Sequence, residues 1–131
     1  MIVVDTNVIV YLLITGELTE NAIAVRAKDR MWAAPILWES ELRNVLMLYI
    51  RRKGLPLEKA AAIAAKAETL VRSYQVNSTA VLRSALDSGC TAYDCEFVEL
   101  ARERNIPLVT EDKKVLSAFP GIATSMKDFV N

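Results

Sequence analysis

Met1-Ile2-Val3-Val4-Asp5-Thr6-Asn7-Val8-Ile9-Val10 opens the chain, and its reading decides the fold. Ile2, Val3 and Val4 make a short β-branched run, the pattern of a strand buried on both faces. Asp5-Thr6-Asn7 follows at once, and Val8, Ile9, Val10, Leu12 and Leu13 then begin a buried helix. Open α/β sheets bind their ligands where such a strand hands over to such a helix. The plain alternative is that Asp5 or Thr6 only caps the helix. The rest of the chain bears on that choice.

At 131 residues the chain is expected to form one domain, 1–131. Lysines plus arginines equal aspartates plus glutamates at 16 each, so no global field draws it to nucleic acid or membrane. No apolar run reaches the roughly 18 to 20 residues of a membrane span, and no basic leader precedes Ile2. A cytoplasmic protein with no membrane partner is expected. There is no histidine, which excludes His-based triads and His-containing zinc sites. Cys90 and Cys95 lack partners for a zinc site and are read as reduced, buried residues. No glycine-rich phosphate loop is present. Carboxylates, hydroxyls and a hard cation remain for chemistry.

Strands and helices alternate along the chain. Leu18 to Lys28 reads as a helix with Thr19 as its cap, and Trp32 to Ala34 as a strand ended by Pro35. Ile36 to Arg52 is helical, closed by Gly54, and Pro56 takes the first position of a helix running through Arg72. Tyr74 to Val76 is a weak strand, followed by helices at Ala80–Ser88 and Thr91–Arg104. A strand at Ile106–Val109, a helix at Lys113–Phe119, and a last strand and helical turn complete the chain. The alternation predicts an α/β sandwich around a parallel sheet.

Two helices carry acids on their apolar stripes. Leu37, Trp38, Val45 and Leu48 stand three, four and seven residues from Glu41, whereas Glu39 falls nearly opposite, beside Arg43. Asp94 shares a face with Phe97, Val98 and Ala101, with Glu96, Glu99 and Glu103 on the other side. Inward carboxylates cost several kcal/mol unless a cation meets them, and a shared divalent ion would. Plainer roles exist. Thr91 and Asp94 have capping-box spacing, Glu41 could be a rim residue, and Thr110 or Asp112 could cap the helix after them. Asp5 and Asp112 nonetheless both follow inner strands, so a parallel sheet puts them at one edge.

Four segments together resemble the PIN-domain family, in particular its small VapC-type toxin ribonucleases. They are the opening strand with Asp5-Thr6-Asn7, Trp38-Glu39-Ser40-Glu41-Leu42-Arg43-Asn44-Val45-Leu46, Tyr93 to Ala101, and Pro107-Leu108-Val109-Thr110-Glu111-Asp112. The resemblance runs over nearly the whole chain. It implies a three-layer sandwich around a five-stranded parallel sheet, and Mg²⁺- or Mn²⁺-dependent cleavage of RNA. It also implies homodimerisation and inhibition by a small antitoxin protein. The family's acidic quartet falls on Asp5, Glu41, Asp94 and Asp112, with Thr6, Asn7, Asn44 and Thr110 as supporting polar residues. An all-oxygen quartet suits a hard cation that activates water against a phosphodiester. Thr110 and Asn7 would hold the ligands, and Arg43, Arg51, Arg52, Lys53, Lys113 and Lys114 are candidate phosphate contacts. Leu12, Leu13, Leu46, Met47 and Tyr49 could offer an antitoxin helix a groove, with a basic side chain of that partner reaching the acids.

Other readings stay open. A general RNA-processing nuclease without an antitoxin would have the same quartet, and a catalytically silent PIN scaffold would serve as an interaction module. Aspartyl-phosphate chemistry is disfavoured, since it wants an acidic pair near the first strand and this chain has Asn7 two residues after Asp5.

Overall fold

A chain that opens on a fully buried strand must build its sheet outward on both sides of that strand. The computed structural model, which describes residues 1–131, has this arrangement. Its strands are β1 (Ile2–Val4), β2 (Trp32–Pro35), β3 (Val71–Tyr74), β4 (Leu108–Val109) and β5 (Ala123–Thr124). They form one wholly parallel sheet in the order β3-β2-β1-β4-β5. Val3 and Val4 at the centre are 0% exposed, as the β-branched run requires.

The helices are α1 (Thr6–Leu13), α2 (Thr19–Lys28), α3 (Leu37–Lys53), α4 (Leu57–Leu70), α5 (Ser78–Ser88), α6 (Ala92–Arg104), α7 (Lys113–Ala118) and α8 (Met126–Val130). They flank the sheet in a three-layer α/β sandwich. None is long and apolar enough to cross a membrane. Trp32, Trp38, Ile9, Leu42 and Leu100 are almost fully enclosed in the main core. Burying each such side chain contributes about 1.5–3 kcal/mol. Gly54 closes α3 at φ +69, a left-handed conformation that glycine adopts without a Cβ penalty. Both cysteines are free and buried, as expected.

Several local expectations are corrected. The fourth helix ends at Leu70, not Arg72, and the third strand is Val71–Tyr74 rather than Tyr74–Val76. Helix propensity in the Ala-rich stretch loses to a full ladder with β2, in which Val71 pairs with Trp32 and Tyr74 with Pro35. Pro35 closes β2 from inside it, and Pro56 is the residue before α4 rather than its first. Thr19 does not cap α2. Its hydroxyl donates to the carbonyls of Tyr11 (2.7 Å) and Ile14 (3.2 Å), tying down the end of α1. The turn after α1 thus satisfies carbonyls that would otherwise be orphaned.

Candidate active site at the carboxyl edge of the sheet

From β1 the sheet grows through β2 to β3, and the chain then returns to place β4 on the other side of β1. The strand order reverses between β1 and β4, which is where doubly wound sheets open a crevice. Val4 pairs with Val109, so Asp5 and Thr110 leave the sheet side by side. The Asp5 backbone N–H donates to the Val109 carbonyl at 3.0 Å. The buried Thr110 hydroxyl donates to Asp5 Oδ2 at 2.8 Å. Asp5 precedes α1 but makes no side-chain capping bond there, so the plain capping role is not the one it takes.

Glu41 arrives from α3. The buried Thr6 hydroxyl donates to Glu41 Oε1 at 2.7 Å and so locks α1 to α3 at the site. Asp94 sits in the first turn of α6. The Thr91 hydroxyl accepts from the Asp94 backbone N–H at 3.0 Å, but the Asp94 carboxylate does not return the bond. The capping box is therefore half-formed, which leaves that carboxylate unengaged. Asp112 is exposed and caps α7 through the Val115 N–H (3.0 Å), while its own N–H donates to the Thr110 hydroxyl (3.1 Å).

Asp94 and Asp112 lie near enough for their charges to act on Asp5, and Asp5 and Asp94 near enough to act on Glu41. Burial pushes the Asp5 carboxyl above its ordinary range. The Thr110 hydroxyl and Thr6 backbone amide oppose that rise, and the charges of Asp94 and Asp112 add to it. Burial likewise raises Glu41. The Thr6 hydroxyl opposes the shift, and Asp5, Asp94 and Glu96 reinforce it. Each acid keeps at least one carboxylate oxygen free of protein hydrogen bonds. No three acidic side chains are gathered tightly enough to grip an ion unaided. This all-oxygen, partly spread donor set fits Mg²⁺ or Mn²⁺, which take one or two carboxylates and keep several waters.

The crevice between Asp5 and Asp94 is only about 10 Å³ and is floored by Phe97, Leu108 and Val115. Roomier concavities of about 300 and 320 Å³ lie at the opposite edge of the sheet, beside Met1, Trp32 and Val71, and beside Asn105 and Ile122, and a shallow one of about 370 Å³ lies beside Val76, Val81 and Glu96. The acids thus face an open surface, which suits a polymer laid across an ion better than an engulfed small molecule.

Other predicted residues fall differently. Asn7 and Asn44 are exposed and make no side-chain hydrogen bond, so neither steadies an acid. Thr6 and Thr110 supply that support. Glu39 is half-buried and accepts from the Ser73 hydroxyl at 3.0 Å rather than pairing with Arg43, whose guanidinium reaches Ser40. The cause is the packing of α3 against the sheet. Trp38 Nε1 donates to the same Ser73 hydroxyl at 2.8 Å and draws that shoulder of the helix inward. Glu96 is half-buried and lies close enough to raise Glu41, instead of facing away with Glu103. Of the expected groove, Leu46 is core, Leu12, Leu13 and Tyr49 are half-buried, and Met47 is exposed. Tyr11 was not anticipated. Burial raises its hydroxyl, and the charges of Glu111 and Asp5 add to the shift.

These shifts predict a pH-dependent penalty on folding. Folded Asp5 and Glu41 hold their protons more tightly than the unfolded chain does. Their burial therefore costs nothing below the ordinary carboxylate range, and stability is lost as pH rises through their raised folded values. Metal-free Asp5→Asn protein should melt a few degrees above wild type near pH 7. The gain should shrink at about pH 4, within the ordinary carboxylate range, as wild-type Asp5 takes up its proton. Calorimetry at the two pH values checks this, and a gain independent of pH would refute the electrostatic cause.

Residues 2–121 match the family profile described as PIN domain. Among solved structures, PAE2754 from Pyrobaculum aerophilum is similar with a TM-score of 0.72 at 23% identity, over 98% of this chain and 92% of that one. VapBC2 from Rickettsia felis, solved bound to a DNA fragment from their promoter, is similar with a TM-score of 0.67 at 17% identity. That likeness covers 95% of this chain and 98% of the other. At such identities the likeness is one of fold. No curated relative matches the chain.

Proposed function

Since the chain belongs to the PIN-domain family, we propose that it is a Mg²⁺- or Mn²⁺-dependent endoribonuclease, the toxin of a toxin–antitoxin pair acting in the cytoplasm. PIN domains are generally nucleases that use divalent metals. The observation that carries the reading for this chain is the meeting of Asp5, Glu41, Asp94 and Asp112 at the switch point, with the two innermost acids held by the Thr110 and Thr6 hydroxyls.

In this reading Asp5, Asp94 and Asp112 would hold the ion directly or through water, and Glu41 would orient the attacking water or hold a second ion. A cation held there would supply Lewis-acid activation of water and charge neutralisation at the phosphate. Thr110 fixes Asp5 through Oδ2, and the Thr6 backbone amide steadies the same carboxylate. The Thr6 hydroxyl fixes Glu41 through Oε1, leaving Oε2 free. With its pKa raised by burial and its neighbours' charge, Glu41 is suited to accept a proton from the water it orients. The acids repel RNA when no cation is bound, so metal and substrate bind cooperatively.

The antitoxin and homodimer belong to the proposal as well. The likeness to VapBC2 supports a partner protein, and α1 and α3 leave Met47 exposed and Leu12, Leu13 and Tyr49 half-buried for it to meet. A basic side chain of that partner would reach the acids and exclude the ion. The free carboxylate oxygens favour a nuclease over a silent interaction scaffold. Incubation with total RNA should give cleavage in Mn²⁺ and none in chelator. Sequencing the new ends identifies the sites. Intact RNA across Mn²⁺ and Mg²⁺ titrations would overturn the assignment.

A further inference from the structure

A surface lined by four carboxylates needs something else to hold a polyanion. The cationic residues at the end of α3, Arg51, Arg52 and Lys53, follow Glu41 by ten or more helical positions, roughly 15 Å along the axis. Lys114 is nearer. It lies in the first turn of α7, two residues after Asp112, and its Nζ donates to the Gly89 carbonyl at 2.8 Å. No carboxylate pairs with it, since the chain's two ion pairs are Met1–Asp29 and Glu99–Arg102. Of its three N–H donors one is used, so a fixed and uncompensated ammonium stands at the turn between α5 and α6.

Tyr93 follows Gly89, the anchor of Lys114, by four residues. Alone among the aromatic residues it is exposed, at 63%. The other rings are enclosed or partly covered, and Tyr74 already carries Arg104 at 3.7 Å from its ring centre. Tyr93 immediately precedes Asp94 in the first turn of α6. Helical side chains lean toward the N-terminus, which for Tyr93 is the direction of the turn that anchors Lys114. An exposed ring adjoining Asp94 in the chain and an unpaired ammonium two residues after Asp112 are thus both tied to the turn before α6. Aromatic faces in such positions stack unpaired bases, and lysines meet phosphates as point charges.

We propose that Tyr93 and Lys114 form the subsite for one unpaired nucleotide beside the scissile phosphate of a single-stranded RNA, a proposal that rests on the ribonuclease reading above. Tyr93 stacks the base, and Lys114 neutralises the adjoining phosphate. The subsite requires the base to be unstacked from its neighbours, so duplexed RNA gains nothing from Tyr93.

The test is binding of a fluorescent single-stranded RNA oligonucleotide to the full chain in Ca²⁺, read by anisotropy, alongside cleavage in Mn²⁺. Tyr93→Ala should weaken binding of the single strand about tenfold and leave binding of duplex unchanged, and Tyr93→Phe should restore it. Lys114→Gln should lower the slope of log affinity against log salt by about 0.7, the loss of one phosphate contact. Equal affinities for wild type and Tyr93→Ala, or an unchanged salt slope in Lys114→Gln, would overturn the subsite. A protein that binds RNA through Tyr93 yet cuts none in Mn²⁺ would instead refute the nuclease assignment and uphold the subsite.

Discussion

Glu41→Gln will lower RNA cleavage by about 10²- to 10⁴-fold, the usual worth of a positioned general base. Gln keeps the oxygen that accepts from Thr6, so the link between α1 and α3 survives. It removes the charge that burial and neighbouring acids disfavour, so the metal-free protein should not lose stability. Glu39→Gln is the matched control. It stands two residues away on the other shoulder of α3, and Gln retains an acceptor for the Ser73 hydroxyl. Its activity should stay within roughly twofold of wild type, the scale of a change outside the functional site. Equal losses from the two substitutions would mean that the helical face of Glu41 has no part in catalysis.

Saturating Mn²⁺ will raise the melting temperature of wild type, and Asp94→Asn will lose most of that rise. A ligand at about 100 times its dissociation constant stabilises by about 2.7 kcal/mol, or roughly 10 °C for a chain of this size. Asp94 is the cleanest site for the test, because its carboxylate makes no hydrogen bond within the fold. Its backbone N–H, which Thr91 caps, is untouched by the change. The variant should therefore fold as wild type does while the shift collapses. An identical shift in both proteins would place the ion elsewhere.

What the sequence reveals and what it conceals divide along a physical line. Asp5 and Asp112 are legible because one directly follows a buried strand and the other comes three residues after the next inner strand, and a parallel sheet sends such residues to one edge. Glu41 and Asp94 are legible as acids on apolar faces. The half-formed capping bond at Asp94 could not be foreseen, because the spacing of Thr91 and Asp94 is the same whether or not the carboxylate returns it. Glu39 misled because helical periodicity describes one helix, whereas its partner Ser73 lies 34 residues away on β3. Glu96 misled for the same reason, since its proximity to Glu41 depends on how α6 lies against α3. Asn7 matched the family's pattern by position, and the structure leaves it in solvent. The overrun of the fourth helix has a tertiary cause as well. Val71 and Arg72 follow an Ala-rich helix and lack any local stop signal, and only pairing with β2 makes them strand.

The bond from Thr110 to Asp5 spans 105 residues, and β1 acquires one of its two neighbours only when β4 exists. Asp5 therefore waits for residues made 105 positions later before it becomes part of a site. At about 5–20 residues per second that interval is roughly 5 to 20 s. A growing chain, and any prematurely ended one that stops short of β4, carries Asp5 without the hydroxyl that holds it and without Asp112 beside it. The site is therefore complete only once β4 and the start of α7 have been made, however early its first acid was laid down.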